Sequence, residues 1–225
     1  MLDSLAVKAT AKALGADACG IAPAERFAGA PEGFRPTDIY PSCRSVVVFL
    51  KGMPQELLET ANPVPYSSTA FVIYAELDRL GVELARAMKL QGAKTVPMPC
   101  DAPYLHWEEA AGHGMGILSM RHAAQLAGLG VLGRNTLLLN QGLGNMGYIG
   151  AVLTAAELEP DPLVEGQECP EGCSICLDAC PEGALDGTTA NQLRCRKRSI
   201  TQVGRAFTIY NCNICRRQCP RSQGY

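Results

Sequence analysis

Apolar side chains recur at helical spacing over residues 2–14, with Asp3 or Ser4 placed to cap the start and Gly15 to stop the last turn. Two short apolar runs, 18–22 and 45–50, read as buried strands. Between them Pro31, Gly33, Pro36 and Pro41 mark a long loop, and a second loop runs from Gly52 through Pro63 and Pro65. The strongest helical pattern is 68–90, with Ile73, Leu77, Leu80, Leu84 and Met88 on one face. Residues 95–98 predict a strand and 120–127 a helix, while 106–116 follows neither period. Residues 135–140 and 148–154 predict two more strands, joined by a glycine-rich turn at 142–147. Periodicity stops near Glu159, Pro160, Asp161 and Pro162. Helices and strands alternate without a clean βαβ repeat, so the expectation for 1–160 is an α+β core with a mixed sheet, followed by a small unit over 161–225.

Composition changes the picture at one point. The chain is 47% apolar and 19% charged, which suits a folded domain. No apolar run approaches the ~18 residues of a membrane span. The first residues lack a secretory pattern, so a cytoplasmic protein with no membrane partner is expected. Eleven cysteines are then unusual, because a reducing compartment disfavours disulfides and clustered thiols there point to metal or redox chemistry. Cys19, Cys43 and Cys100 are scattered; the other eight lie between Cys169 and Cys219. Charge divides there too: nine acidic and no basic side chains over 151–186, eight basic and no acidic ones over 187–225. Such cations could form a solvated face, offset the charge of thiolate-ligated clusters or dock an acidic electron donor.

The cysteines form two related runs. Cys169, Cys173, Cys176 and Cys180-Pro181 make the first; Cys195 and then Cys212, Cys215 and Cys219-Pro220 make the second. A C-x2-C-x3-C-P run in both halves points to two [4Fe–4S] clusters, since close spacing aims three sulfurs at three irons and a distant cysteine must reach the fourth. In two-cluster bacterial ferredoxins the cysteine before proline serves the other cluster. By that logic Cys169, Cys173, Cys176 and Cys219 take one cluster, and Cys195, Cys212, Cys215 and Cys180 the second. Cys195 is the loosest assignment, separated from Cys212 by sixteen residues. Zinc also uses C-x2-C pairs, but a structural zinc site usually joins two such pairs in one tetrahedron.

Two stretches match a dinucleotide fingerprint in letters only: Gly128, Gly130 and Gly133, and Gly142, Gly144 and Gly147. That motif needs a strand before and a helix after. The first match follows a helix and the second reads as a hairpin turn, so neither predicts a nucleotide site.

Residues 120–135, with Ala127-Gly128-Leu129-Gly130 and Gly133-Arg134-Asn135, resemble the AGLGxxGKN segment of epoxyqueuosine reductases, enzymes related to reductive dehalogenases. Thr136 to Asn140, 148–154, Gly20-Ile21-Ala22, 41–50 and Arg194-Cys195 continue the similarity. The resemblance implies a nitroreductase-like core, a ferredoxin-like module, two [4Fe–4S] clusters and cobalamin between the two units. Arg121, Gly128, Gly130, Gly133, Asn135, Gly144 and Gly147 are then the residues expected to line the cofactor. The expected form is a short one without the helical-repeat extension of many relatives. The acidic residue that such enzymes carry ahead of the AGLG segment has no counterpart in 114–121. Epoxyqueuosine reduction, and with it a nucleic-acid partner, is therefore not expected.

His106, His113 and His122 are the only histidines, and each could protonate a substrate or serve as an ordinary side chain. His113, His122 and Tyr104 are the candidate catalytic groups, with Tyr148 and Arg121 as further polar groups. Cys19 and Cys43 read as inert core thiols, and Cys100, beside Asp101, as the one candidate reactive thiol. The expectation is an iron–sulfur protein passing electrons to a partner such as a ferredoxin or flavodoxin, or to a cofactor in the core. The alternative is a cobalamin-dependent reductase of a small molecule.

Overall fold

The computed structural model describes residues 2–103, 105–110, 112–166, 169–204 and 207–224. Helix α1 (Ser4–Ala13) starts where the Asp3 carboxylate accepts from the backbone N–H of Ala6 at 3.0 Å, satisfying a donor the first turn leaves free. It ends ahead of Gly15, whose φ is +99°. Strands β1 (Ala18–Pro23) and β2 (Ser45–Lys51) pair antiparallel, separated by the proline-marked loop and a short helix α2 (Pro36–Ile39). Helix α3 runs over Val64–Leu90, four residues longer at its start than the pattern predicts. Pro65 caused the difference: proline fits the first helical turn, where its missing N–H has no partner to lose.

Strand β3 (Thr95–Met98) follows α3. Strands β4 (His106–Glu108) and β5 (His113–Met115) form a small hairpin in the stretch that matched neither period. Helix α4 (Met120–Leu126) leads to β6 (Val131–Leu132) and β7 (Leu138–Leu139), and β8 spans Tyr148–Thr154. The strand expected over 135–140 is thus only two residues long. Thr136 sits at φ +64°, a left-handed conformation that interrupts an extended backbone.

The main sheet has the order β1-β2-β8-β3. Every neighbouring pair is antiparallel, so the expected mixed sheet is corrected. Strand β8 inserts between β2 and β3, and the two strands that α3 connects never pair. Strand β2 is buried on both faces, as its uninterrupted apolar run requires. Val47 and Phe49 join α1 and α3 in one core; Val46, Val48 and Leu50 join α4 in the other. At roughly 25 cal/mol per Å2 of apolar surface buried, these two faces supply the main stabilisation of the domain.

The cysteine-rich segment contains short helices α5 (Ile175–Asp178) and α6 (Gln192–Ser199), the hairpin β9 (Ile200–Val203) and β10 (Phe207–Tyr210), and α7 (Ile214–Arg217). Several contacts anchor it to the core. The Tyr210 N–H donates to Ser67 Oγ at 3.0 Å, with the Tyr210 ring stacked on Phe71. The Leu193 N–H donates to the Gly112 carbonyl at 3.0 Å, and Gln192 exchanges two hydrogen bonds with Gly114. Gly144 forms a β-bridge with Ser222. Among the described residues, no helix is long and apolar enough to cross a membrane.

Candidate functional site

Each C-x2-C pair runs into a short helix. Ser174 Oγ donates to Asp178 across α5 at 2.5 Å, and Cys176 lies buried on that helix. Cys215 lies on α7, which packs near α5, while Cys195 is exposed on α6. The Asn191 side chain caps α6 by accepting from the Arg194 N–H at 3.0 Å. All eleven cysteines are free thiols.

Electrostatic coupling links the thiols in two sets, one around Cys176 and one around Cys215. Burial raises the Cys176 thiol above its usual range, and the neighbouring thiols of Cys219, Cys169 and Cys173 push it the same way. Burial pushes Cys215 up to about 11; Arg216 opposes this, while Cys195, Cys212 and Cys180 reinforce it. Each group therefore mixes cysteines from both runs. The Arg134 N–H donates to Cys169 Sγ at 3.4 Å and the Ala184 N–H to Cys180 Sγ at 3.3 Å. Among the described residues no three His, Cys, Asp or Glu side chains close on a single metal ion.

The core meets both groups through residues of the glycine-rich segments. Arg134 Nη1 donates to the Cys173 carbonyl at 2.7 Å, and Asn135 Nδ2 to the Cys215 carbonyl at 3.3 Å. Asn145 Nδ2 donates to the Arg216 carbonyl at 3.0 Å, and the Arg216 guanidinium donates back to the Asn145 carbonyl. Next to this clamp lies a cluster of tyrosines. Tyr148 Oη is 3.4 Å from Tyr66 Oη, the Tyr74 and Tyr148 rings meet edge to face at 5.2 Å, and the Arg216 guanidinium lies 5.2 Å over the Tyr148 ring. Burial raises both Tyr74 and Tyr148, so these phenols stay neutral. Asp101 faces Tyr74 from the loop after β3. Burial raises its carboxyl too, against the pull of Arg196 and with the push of Asp78.

The other sequence candidates are dispersed. Tyr104 lies outside the described residues. His113 sits opposite Glu108 in the β4–β5 hairpin. His122 is held by Ser119 at 2.7 Å, and burial, then Arg121, lowers its basicity. Arg121 donates to the Thr136 carbonyl at 3.4 Å, its own pKa lowered by burial. The glycines are closed on this chain's own atoms. A Cβ at Gly128 would overlap the Pro162 carbonyl, one at Gly130 the Leu139 carbonyl and one at Gly144 the Arg221 carbonyl; at Gly133 it would crowd Asn135 Oδ1. Gly147 has ordinary contacts only. Cys100 is no reactive thiol: burial and Asp78 both raise it, so the reactive thiolate is suppressed. Tyr66, Tyr74, Asp101 and Arg216 were not singled out by the sequence. For Arg216 the signal was the unbroken basic composition around the second cysteine run, which could not say which arginine turns inward.

No family model matches the chain. It is 36% identical over 122 residues to an epoxyqueuosine reductase of Staphylococcus aureus, covering 48% of this chain and 31% of that protein. This chain thus spans about a third of the length of that curated relative. An epoxyqueuosine reductase structure from Streptococcus thermophilus superposes over 98% of this chain and 66% of its own, with TM-score 0.69 and 23% identity. A reductive dehalogenase structure, described with a mechanism for B12-dependent dehalogenation, covers 97% of this chain and 31% of its own, with TM-score 0.68 and 22% identity. The resemblance read from the sequence therefore holds: this chain is similar to the epoxyqueuosine reductases and the reductive dehalogenases, sharing sequence with the first and the fold with both.

Proposed function

We propose that this chain is an iron–sulfur redox protein with two [4Fe–4S] clusters. Cys169, Cys173, Cys176 and Cys219 would hold one; Cys180, Cys195, Cys212 and Cys215 would hold the other. What supports the reading is that Cys176 is electrostatically coupled to Cys219, Cys169 and Cys173, and Cys215 to Cys195, Cys212 and Cys180, so each set draws on both runs. The donor set fits. Thiolates are the usual ligands of such clusters, and backbone N–H groups aimed at Cys169 and Cys180 are hydrogen bonds of the kind that tune them. Bound clusters supply one-electron transfer. The chain's own residues do the rest: Arg134 and Arg216 place positive charge beside the thiolates, and the tyrosine cluster keeps the core side apolar and neutral.

In this reading 1–160 is a nitroreductase-like core and 161–225 a ferredoxin-like module of a cytoplasmic protein. Exposed Cys195 lies between Arg194 and the exposed pair Lys197 and Arg198 on α6. That positive surface suits an acidic single-electron donor such as a ferredoxin or flavodoxin. The test is anaerobic reconstitution with iron counting and EPR. About eight irons per chain and two reducible signals are expected; about four irons, or a zinc-filled protein, overturns the two-cluster reading.

A second reading, a cobalamin-dependent reductase of a small molecule, is favoured by Asp101, whose carboxyl is raised by burial beside Tyr74, the direction that suits a proton donor. The glycine-rich segments do not fit a corrinoid cradle, because Gly128, Gly130 and Gly144 are filled by this chain's own carbonyls. No step is derived through that group. Cobalamin added to the reconstituted protein decides: an unchanged corrinoid spectrum, with no retention on gel filtration, removes this reading and leaves electron transfer.

A further inference from the structure

Arg216 is a cation placed where cations are expensive. Its guanidinium contacts neutral groups: the Asn145 carbonyl, the Met146 sulfur at 3.7 Å and the face of Tyr148 at 5.2 Å. Among the described residues it makes no ion pair with a carboxylate, unlike Lys8, Arg44, Lys51 and Arg79, which all do. Its electrostatic neighbours are Tyr66, Tyr148, Cys215 and Tyr74. Cys215 directly precedes Arg216 on α7 and is, in the two-cluster reading above, a thiolate ligand. A half-buried charge with no carboxylate against it is costly, and chains rarely retain one without use. Asn145 fixes the position, gripping Arg216 by its backbone carbonyl as well as receiving the guanidinium.

We infer that Arg216 is the built-in counter-charge of the group held by Cys180, Cys195, Cys212 and Cys215, raising its reduction potential and leaving that of the other group unchanged. The inference rests on the two-cluster reading above. Its physics is that adding an electron makes the thiolate-ligated group more negative, and a fixed positive charge nearby stabilises the reduced form. Arg134 approaches the other group separately, through the Cys173 carbonyl, so the two arginines divide between the two groups.

The test uses the full chain, reconstituted anaerobically, as wild type, Arg216→Gln and Arg216→Lys, with iron counting and an EPR-monitored redox titration. Arg216→Gln should move one of the two reduction midpoints down by about the 59 mV that a tenfold change in a one-electron equilibrium represents. The other midpoint should stay, and Arg216→Lys should restore most of the shift. If Arg216→Gln keeps one cluster while Arg216→Lys keeps two, the positive charge is again what is needed. Unmoved midpoints, both moving together, or Lys behaving like Gln would overturn the inference. A wild type with fewer than two clusters fails the functional reading instead, which the iron count reveals before any titration.

Discussion

Asn135 Nδ2 donates to the Cys215 carbonyl at 3.3 Å, while its Oδ1 accepts from the Leu137 N–H at 3.2 Å. A side chain that is 3% exposed thus both shapes the turn after β6 and holds the second cysteine run against the core. Removing it leaves a buried carbonyl and a buried N–H without these partners. Asn135→Ala should cost roughly 1–3 kcal/mol of stability by chemical denaturation. It should also speed iron loss to a chelator; unchanged rates would mean the contact does not hold the module.

The proposed crossing of Cys180 and Cys219 predicts which signals travel together. Cys180→Ser should abolish the same EPR signal as Cys212→Ser, and Cys219→Ser the same signal as Cys173→Ser. The pairing reverses if each run instead serves its own cluster.

Asp101 gives a pH signature with a definite sign. Its folded carboxyl is raised, mainly by burial, so the stability it allows is complete below its unfolded value of 3.8 and is lost as pH rises through the folded value. Asp101→Asn should therefore raise the melting temperature at pH 7, and the gain should vanish as pH falls to about 3.8. A gain independent of pH would point to packing instead.

Buried thiols act at the alkaline end. Burial foremost raises Cys19 from 9.0 to about 12, so its contribution is fully present below pH 9.0 and is lost as pH climbs towards 12. At pH 8 Cys19, Cys43 and Cys100 should resist iodoacetamide in the folded protein and react promptly in denaturant, as peptide mapping can show.

Gly144 sits at φ +53° against the Arg221 carbonyl, where it joins the turn before β8 to the last residues. Gly144→Ala should cost about 2 kcal/mol or more, from strain and from forcing the two backbones apart. Gly29→Ala, with open space around the site, should be close to neutral by the same denaturation assay.

Much of the fold was legible because it is local. The period of α3, the Asp3 cap and Gly15 stop of α1, and the apolar runs of β2 and β8 each depend on neighbours in sequence. Strand pairing is not local. That β8 enters between β2 and β3, making the sheet antiparallel, depends on contacts about a hundred residues apart such as Val47 with Val152. The glycines illustrate the same limit: their spacing suggested a ligand, and only the packed chain shows their space filled by Pro162, Leu139 and Arg221.

The sequence alone determined the inventory of eight clustered cysteines and their likeness to a redox family, because ligand spacing is a property of the chain. Tertiary structure decided which of the many arginines turns inward. Arg217 and Arg216 are adjacent and chemically identical, yet one is exposed and the other lies over Tyr148 beneath the clamp of Asn145. A charge acquires its role from what surrounds it, and those surroundings come from segments the sequence keeps some 70 residues apart.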